Sequence, residues 1–249
     1  MEATVPLLLW MALTVFIAGV ATGATALGFA QIMATALALV VDARTAVLIL
    51  AVTVPVISGL QVIHHRRSPF PARRLLPVLG GAFVGVPVGV FLLTVLSTEF
   101  LAGAVGLVSL LYVLTRVVRV RPIVWPEQER YLGPLAGLGG GVLNGALGLS
   151  GPVLIPYLLA LRLPLPTFGY AVSVMYVSMT LFRLSGLLAS GTLVVSTALL
   201  GVGLLIPALV GQRVGFVLQR RLGSEVFERI VLASLVVGAT ALLARAIGL

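Results

Sequence analysis

The chain has 249 residues, of which 60% are hydrophobic and 9% charged, with a mean hydropathy of +1.20. An ordinary soluble domain, with about 25% charged residues, is excluded, and the absence of cysteine excludes disulfides and thiolate metal sites. The net charge of +9 comes from sixteen basic residues, all Arg, grouped between apolar runs, a pattern of membrane topology rather than of nucleic-acid binding.

A chain this apolar must pair its backbone groups within hydrocarbon, which only helices or a closed barrel achieve, and its long runs do not alternate as barrel strands do. The expected fold class is all-α, a polytopic membrane protein. Met1 to Pro6 lacks the basic segment of a cleavable signal peptide, so the first apolar stretch is expected to remain. A crossing needs about 20 apolar residues. The stretch 6–41 is too long for one crossing and is interrupted by glycines, and single crossings follow at 44–64, 74–95 and 99–118. Beyond a cytoplasmic linker at 122–130 comes a second long, glycine-interrupted stretch, 132–162, and then crossings at 166–189, 195–217 and 226–246.

Loops rich in Arg stay on the cytoplasmic side. His64-His65-Arg66-Arg67 with Arg73-Arg74, then Arg116, Arg119, Arg121 and Arg130, then Arg220, Arg221 and Arg229, mark three inside loops. Leu96-Ser97-Thr98-Glu99 and Ala189-Ser190-Gly191-Thr192 carry no basic residue and read as outside. The crossing 166–189 must then start inside, so 132–162 enters and returns on one side. By the same logic 6–41 is a hairpin whose N-terminus, carrying Glu2 and no Arg, lies outside. Both termini are expected outside, and each long stretch is a re-entrant or short-helix hairpin.

Displacing the chain by 122 residues lays Gly19-Val20-Ala21-Thr22-Gly23 on Gly141-Val142-Leu143-Asn144-Gly145, and Gly81 and Gly89 on Gly203 and Gly211. After a four-residue insertion, Thr98-Glu99 falls on Ser224-Glu225. The matches keep their order across whole halves, which points to two repeats, 1–121 and 131–249, each a hairpin plus three spans. The outside loop at 96–99 corresponds to an inside loop near 220–225, so the repeats are expected to be inverted. Inverted repeats place a site near the midplane at their interface, where broken helices aim their N-termini at an anion.

The two breaks supply the candidate substrate-binding residues: Thr22, Gly23, Thr25 and Gly28 in the first, and Asn144, Gly145, Gly148, Ser150 and Gly151 in the second. Ser150 resembles an N-cap and Pro152 an early helix position, leaving N–H groups for an oxyanion. Glycines Gly81, Gly85, Gly89, Gly203 and Gly211 read instead as helix-packing positions. Arg183 lies inside a span, paired by the repeat with Gln61, and a charge there costs about 2.5–3.5 kcal/mol to insert, which makes it a site candidate; the alternative is snorkelling to the headgroups. Arg213 is expected to snorkel, and Arg44 and Arg162 to sit at interfaces. Gln31 and Tyr176 line a pathway or pair across helices. His64-His65 reads as a solvated loop end without carboxylates, and no metal or cofactor is expected.

An intramembrane enzyme is poorly supported, since there is no HExxH motif, no cysteine and no embedded aspartate pair. The expected partners are a small anion and the lipid bilayer, not nucleic acid, and association into a homo-oligomer stays open.

Over essentially its whole length the chain resembles the sulfite and organosulfonate exporter family TauE/SafE. The likeness rests on Gly19-x-x-x-Gly23-x-x-x-x-Gly28, on Gly141-x-x-x-Gly145-x-x-Gly148-x-x-Gly151-Pro152 with Pro156, and on Gly81-x-x-x-Gly85-x-Pro87-x-Gly89. The first half departs from the second, with Ala26, Phe29, Ala30 and Ala34 where Gly148, Gly151, Pro152 and Pro156 stand. The resemblance implies a secondary transporter, an exporter of sulfite, sulfoacetate or a related sulfonate across the cytoplasmic (inner) membrane. The alternative is a carrier or channel for another small anion or metabolite.

Overall fold

The computed structural model describes residues 4–25, 28–118, 125–222 and 224–246, and among these residues every regular element is a helix. The helices are α1 (Thr4–Thr25), α2 (Phe29–Ala38), α3 (Ala43–His64), α4 (Ala72–Val95), α5 (Thr98–Val117), α6 (Pro126–Leu147), α7 (Gly151–Ala160), α8 (Leu165–Ala189), α9 (Val195–Leu222) and α10 (Ser224–Ala246). Local chemistry sets several starts. Asp42 Oδ1 accepts from Thr45 N at 2.9 Å to open α3, and Ser97 Oγ accepts from Phe100 N at 3.2 Å to open α5. The N–H of Trp125 donates to Gln128 Oε1 at 3.1 Å ahead of α6.

Five of the six expected spans are α3, α4, α5, α8 and α9, each long and apolar enough to cross a membrane. The sixth, 226–246, is α10, whose apolar part is Leu232–Ala246. The hairpins differ from expectation. Their limbs are not both short: a 22-residue helix, α1 or α6, precedes a 10-residue helix, α2 or α7, and α1 is itself apolar enough to cross. Gly19, Gly23, Gly141 and Gly145 do not break these helices. The turns come later, at Gly28 (φ 96°) and Gly148 (φ 75°), both left-handed, a conformation that favours glycine.

The glycines inside the long limbs bring backbones together. A Cβ on Gly19 or Gly23 would strike the carbonyls of Ala208 or Gln212 in α9, and one on Gly145 would strike Val86 O in α4. The return contacts reveal the register. Gly85 abuts Leu138 O and Gly89 abuts Val142 O, whereas Gly211 abuts Phe16 O and Gly215 abuts Val20 O. Residues 16 and 138, and 20 and 142, are one 122-residue displacement apart, so Gly85 and Gly89 correspond to Gly211 and Gly215 at a displacement of 126. This corrects the pairing of Gly81 and Gly89 with Gly203 and Gly211: the four extra residues precede Gly211. Gly81, Gly85, Gly89 and Gly211 pack as expected, but a Cβ on Gly203 meets open space.

Replacing Gly215 with Leu should therefore separate α1 from α9 and destabilise the protein by about 1–3 kcal/mol, the range for overpacking. Gly203→Leu should be neutral. Thermal unfolding of the two purified variants checks this.

The same displacement of 122 carries the bounds of α1 onto α6 and of α2 onto α7, and the start of α3 onto that of α8. The dominant helix pairings are α1 with α9 and α4 with α6, so each long limb lies against a helix of the other half. At the centre sits α3, with Val47, Ile49, Leu50 and Ala51 fully enclosed. Leu9, Trp10, Phe83, Phe91, Leu199, Ile206 and Val237 are exposed on the outside of the bundle, an apolar surface suited to lipid.

Candidate functional site

At the first break, Thr22 near the end of α1 gives its carbonyl to Gln61 Nε2 of α3 at 2.8 Å, and its hydroxyl donates to Ala18 O at 2.9 Å. The side chain of Thr25 lies outside the described residues. Beyond the break, Gln31 Nε2 donates to Ser109 Oγ of α5 at 3.4 Å, and Thr35 shares a 2.9 Å hydrogen bond with the same hydroxyl. A cavity of about 440 Å³, counting its open mouth, lies between the break and the facing helices. Its polar lining is Thr22, Gln31, Ser58, Gln61, Tyr112, Ser173 and Tyr176. Ser58 and Gln61 are near the C-terminal end of α3 and Ser173 is near the start of α8, which puts the cavity in that half of the bundle.

The second break is closed and charged. Arg183 of α8 is 0% exposed, and its Nη1 donates to Asn144 O at 3.0 Å. Its Nε and Nη2 have no partner, nor have Asn144 Nδ2 and Oδ1, Ser150 Oγ or Thr180 Oγ1. Asn144, Ser150 and Thr180 are likewise 0% exposed. Buried polar groups are ordinarily paired, because each unpaired one costs roughly 1–3 kcal/mol and a charge more, so this concentration makes the cluster a candidate site. Gly148 fits against the guanidinium, and a Cβ there would lie 2.4 Å from Nη1. The Tyr176 phenol approaches Ser150 without a well-formed hydrogen bond, and Gly151 abuts the ring of Tyr112 and the hydroxyl of Tyr176.

The two breaks share one local design. Gln61 and Thr22 are each 122 residues from Arg183 and Asn144, and both pairs join a side-chain nitrogen to a carbonyl at a helix end. Ser58 and Thr180 are related by the same displacement. One half thus presents a neutral amide beside an open cavity, and the other presents a cation in an enclosed cluster. Tyr176 belongs to both.

Several expectations change on this geometry. Gly23 and Gly145 are committed to helix contacts rather than facing the breaks. Ser150 stands at the N-cap of α7, but its side chain makes no capping bond. Pro152 has no N–H, and Val153 and Leu154 donate to Ser150 O, so the terminus offers fewer amides than expected and the guanidinium carries the charge. Arg183 is enclosed and does not snorkel. Arg213 and Arg162 are exposed, while Arg44 Nη2 donates to Leu96 O at 2.7 Å. Arg74 grips Glu129 through Nε and Nη2, tying α4 to α6. Among the described residues no cluster suits a metal ion. Ser58, Ser173, Tyr112 and Thr180 were not anticipated. A search for polar residues 122 apart would have found Ser58 and Thr180.

The two histidines differ: His64 stays exposed, as expected of a solvated end, and His65 is half-buried. His64 stacks on Phe216 with ring centroids 4.0 Å apart, and His65 lies against Gly169. Burial, reinforced by His64, lowers the His65 pKa from its ordinary 6.5, so the folded protein holds it neutral at neutral pH. The unfolded chain binds that proton more readily, so stability should fall as pH drops below 6.5 toward the lowered value. Melting temperatures taken across that window should show the loss in the natural protein and less of it in His65→Phe.

A family profile described as sulfite exporter TauE/SafE matches residues 11–242. No curated protein and no solved structure matches the chain.

Proposed function

Because the chain belongs to the sulfite exporter TauE/SafE family, a family of membrane transporters rather than enzymes, we propose that it exports a small sulfur-containing anion such as sulfite, sulfoacetate or a related organosulfonate. The route crosses the cytoplasmic (inner) membrane by alternating access between two inverted repeats. The observation that carries this reading is Arg183, an enclosed cation with two unengaged donors beside a helix break.

Asn144, Gly148, Ser150, Gly151 and Arg183 form the charged half of the site, and Thr22, Gly28, Gln31 and Gln61 the neutral half. The shared bonding of Gln61 with Thr22 and of Arg183 with Asn144 supports a two-fold relation between the halves. So does the matched packing of α1 on α9 and α6 on α4, since each pair runs parallel by its glycine contacts. Inversion follows from the arginine-rich loops, which put the start of α4 inside and that of α9 outside. In that frame the neutral cavity opens toward the cytoplasm and the Arg183 cluster is closed toward the outside, the arrangement of a carrier ready to load from within.

The test is counterflow in liposomes holding the purified protein, with sulfite, sulfoacetate, taurine and sulfate as candidates and empty liposomes as control. Saturable, protein-dependent exchange of sulfite or a sulfonate is expected. Exchange of none of the four overturns the sulfur assignment, and ohmic single-channel current overturns the carrier.

A further inference from the structure

Resting on that transport reading, we infer that the substrate is a singly charged oxyanion clasped by the Nε and Nη2 edge of Arg183, and that each one crosses carrying its net negative charge. Arg74 demonstrates the binding mode within this same chain. Its Nε donates to Glu129 Oε2 at 2.9 Å and its Nη2 to Glu129 Oε1, the parallel pair of bonds for which a guanidinium edge is shaped. On Arg183, Nη1 is engaged by Asn144 O, which turns the same edge into the buried cluster with neither nitrogen bonded. Two oxygens of a sulfonate or of hydrogensulfite match that edge, and the hydroxyls of Ser150 and Thr180 are available as donors to a third.

Charge counting sets the valence. Asn144, Ser150 and Thr180 contribute dipoles but no charge. The other described arginines nearest in sequence or role make other contacts or are exposed: Arg44 holds Leu96 O through Nη2 with its Nε unpaired, Arg74 holds Glu129, and Arg162 and Arg213 are exposed. One enclosed cation balances one negative charge. A second, unpaired in the same enclosure, is expected to weaken binding at least about 100-fold. Sulfate and sulfoacetate, each with two charges, are therefore disfavoured against monovalent sulfonates, and hydrogensulfite is favoured over sulfite dianion.

The same inventory sets the energetics. No carboxylate or imidazole lines the cavity or stands in the Arg183 cluster among the described residues. The other polar side chains there include the phenols Tyr112 and Tyr176 and the guanidinium of Arg183. With no carboxylate or imidazole there to carry a proton alongside the anion, one charge moves per anion. An inside-negative potential then drives export, sustaining a gradient of about 50-fold at about 100 mV.

The experiment uses liposomes containing the full chain, with methanesulfonate and sulfate as probes and a potassium diffusion potential set by valinomycin. Inside-positive vesicles should accumulate methanesulfonate to about 50-fold at about 100 mV, with reversal of flux on reversing the potential and little sulfate uptake. Methanesulfonate flux that ignores the potential, or sulfate uptake equal to that of methanesulfonate, overturns this inference and leaves the transporter reading standing. No protein-dependent flux of methanesulfonate or of any sulfur anion overturns both.

Discussion

Arg183→Gln should lower anion affinity at least about 30-fold while leaving the fold intact, because removing one member of a buried hydrogen-bonded charge pair costs about 2–5 kcal/mol. Glutamine is the informative replacement. Gln61 already occupies the related position in the other half and reaches the Thr22 carbonyl at 2.8 Å, so an amide can keep the bond to Asn144 O that closes the second break. The unloaded protein should not melt earlier and can gain stability, since an enclosed cation without a counter-charge is itself costly. Arg183→Lys keeps the charge but loses the two-donor edge, and its affinity should fall between the two. Calorimetric titration with methanesulfonate, together with melting temperatures, separates these outcomes. An Arg183→Gln protein that binds as tightly as the natural one would make Arg183 a structural residue.

Gly148→Ala should be nearly as damaging by a different route. The residue has φ 75°, where a side chain costs about 1–2 kcal/mol, and the added Cβ would sit 2.4 Å from Arg183 Nη1. The neighbour in the way is the charged end of the proposed site, so relief of the clash requires the guanidinium to leave its bond with Asn144. Expected are a destabilisation of about 1–2 kcal/mol and loss of transport. Combining Gly148→Ala with Arg183→Gln should recover part of the stability without recovering binding, because the shorter amide vacates the contested space. If Gly148→Ala alone retains natural transport, the packing of Gly148 on Arg183 does not govern the site.

The membrane class and five of the crossings were legible because hydropathy integrates over about 20 residues, which no local irregularity obscures. Arg183 was legible for a related reason, as a solitary charge in the apolar window of α8. The breaks were read at 22–28 and 144–152, and the turns fall within them at Gly28 and Gly148, but Gly23 and Gly145 were counted with the breaks, whereas in lipid small residues four apart commonly mark where two backbones meet. The register slipped by four residues, with Gly211 matched to Gly89 instead of Gly85, for the same reason: glycine spacing repeats, and only the facing carbonyls of Phe16 and Leu138 distinguish one match from the next. Ser173 was not legible because a hydroxyl in an apolar helix commonly bonds the preceding turn, as it does to Gly169 O at 2.7 Å, and Ser58 and Thr180 stand out only once the 122-residue displacement is applied to every polar residue. His64 and His65 read as loop residues because their partners, Phe216 and Gly169, are more than 100 residues away.

A single site reached in turn from both sides is tested most directly by two cysteines one repeat apart in a chain that has none of its own. Ser58 lines the open cavity, and its counterpart Thr180 is enclosed beside Arg183. In oriented membranes, Ser58→Cys should react with an impermeant thiol reagent only from the cytoplasmic side. Thr180→Cys should react only from the outside, with the two rates shifting in opposite directions when a transported anion is added. Reaction of both from the same side, or anion-dependent changes in the same direction, would contradict alternating access between inverted repeats.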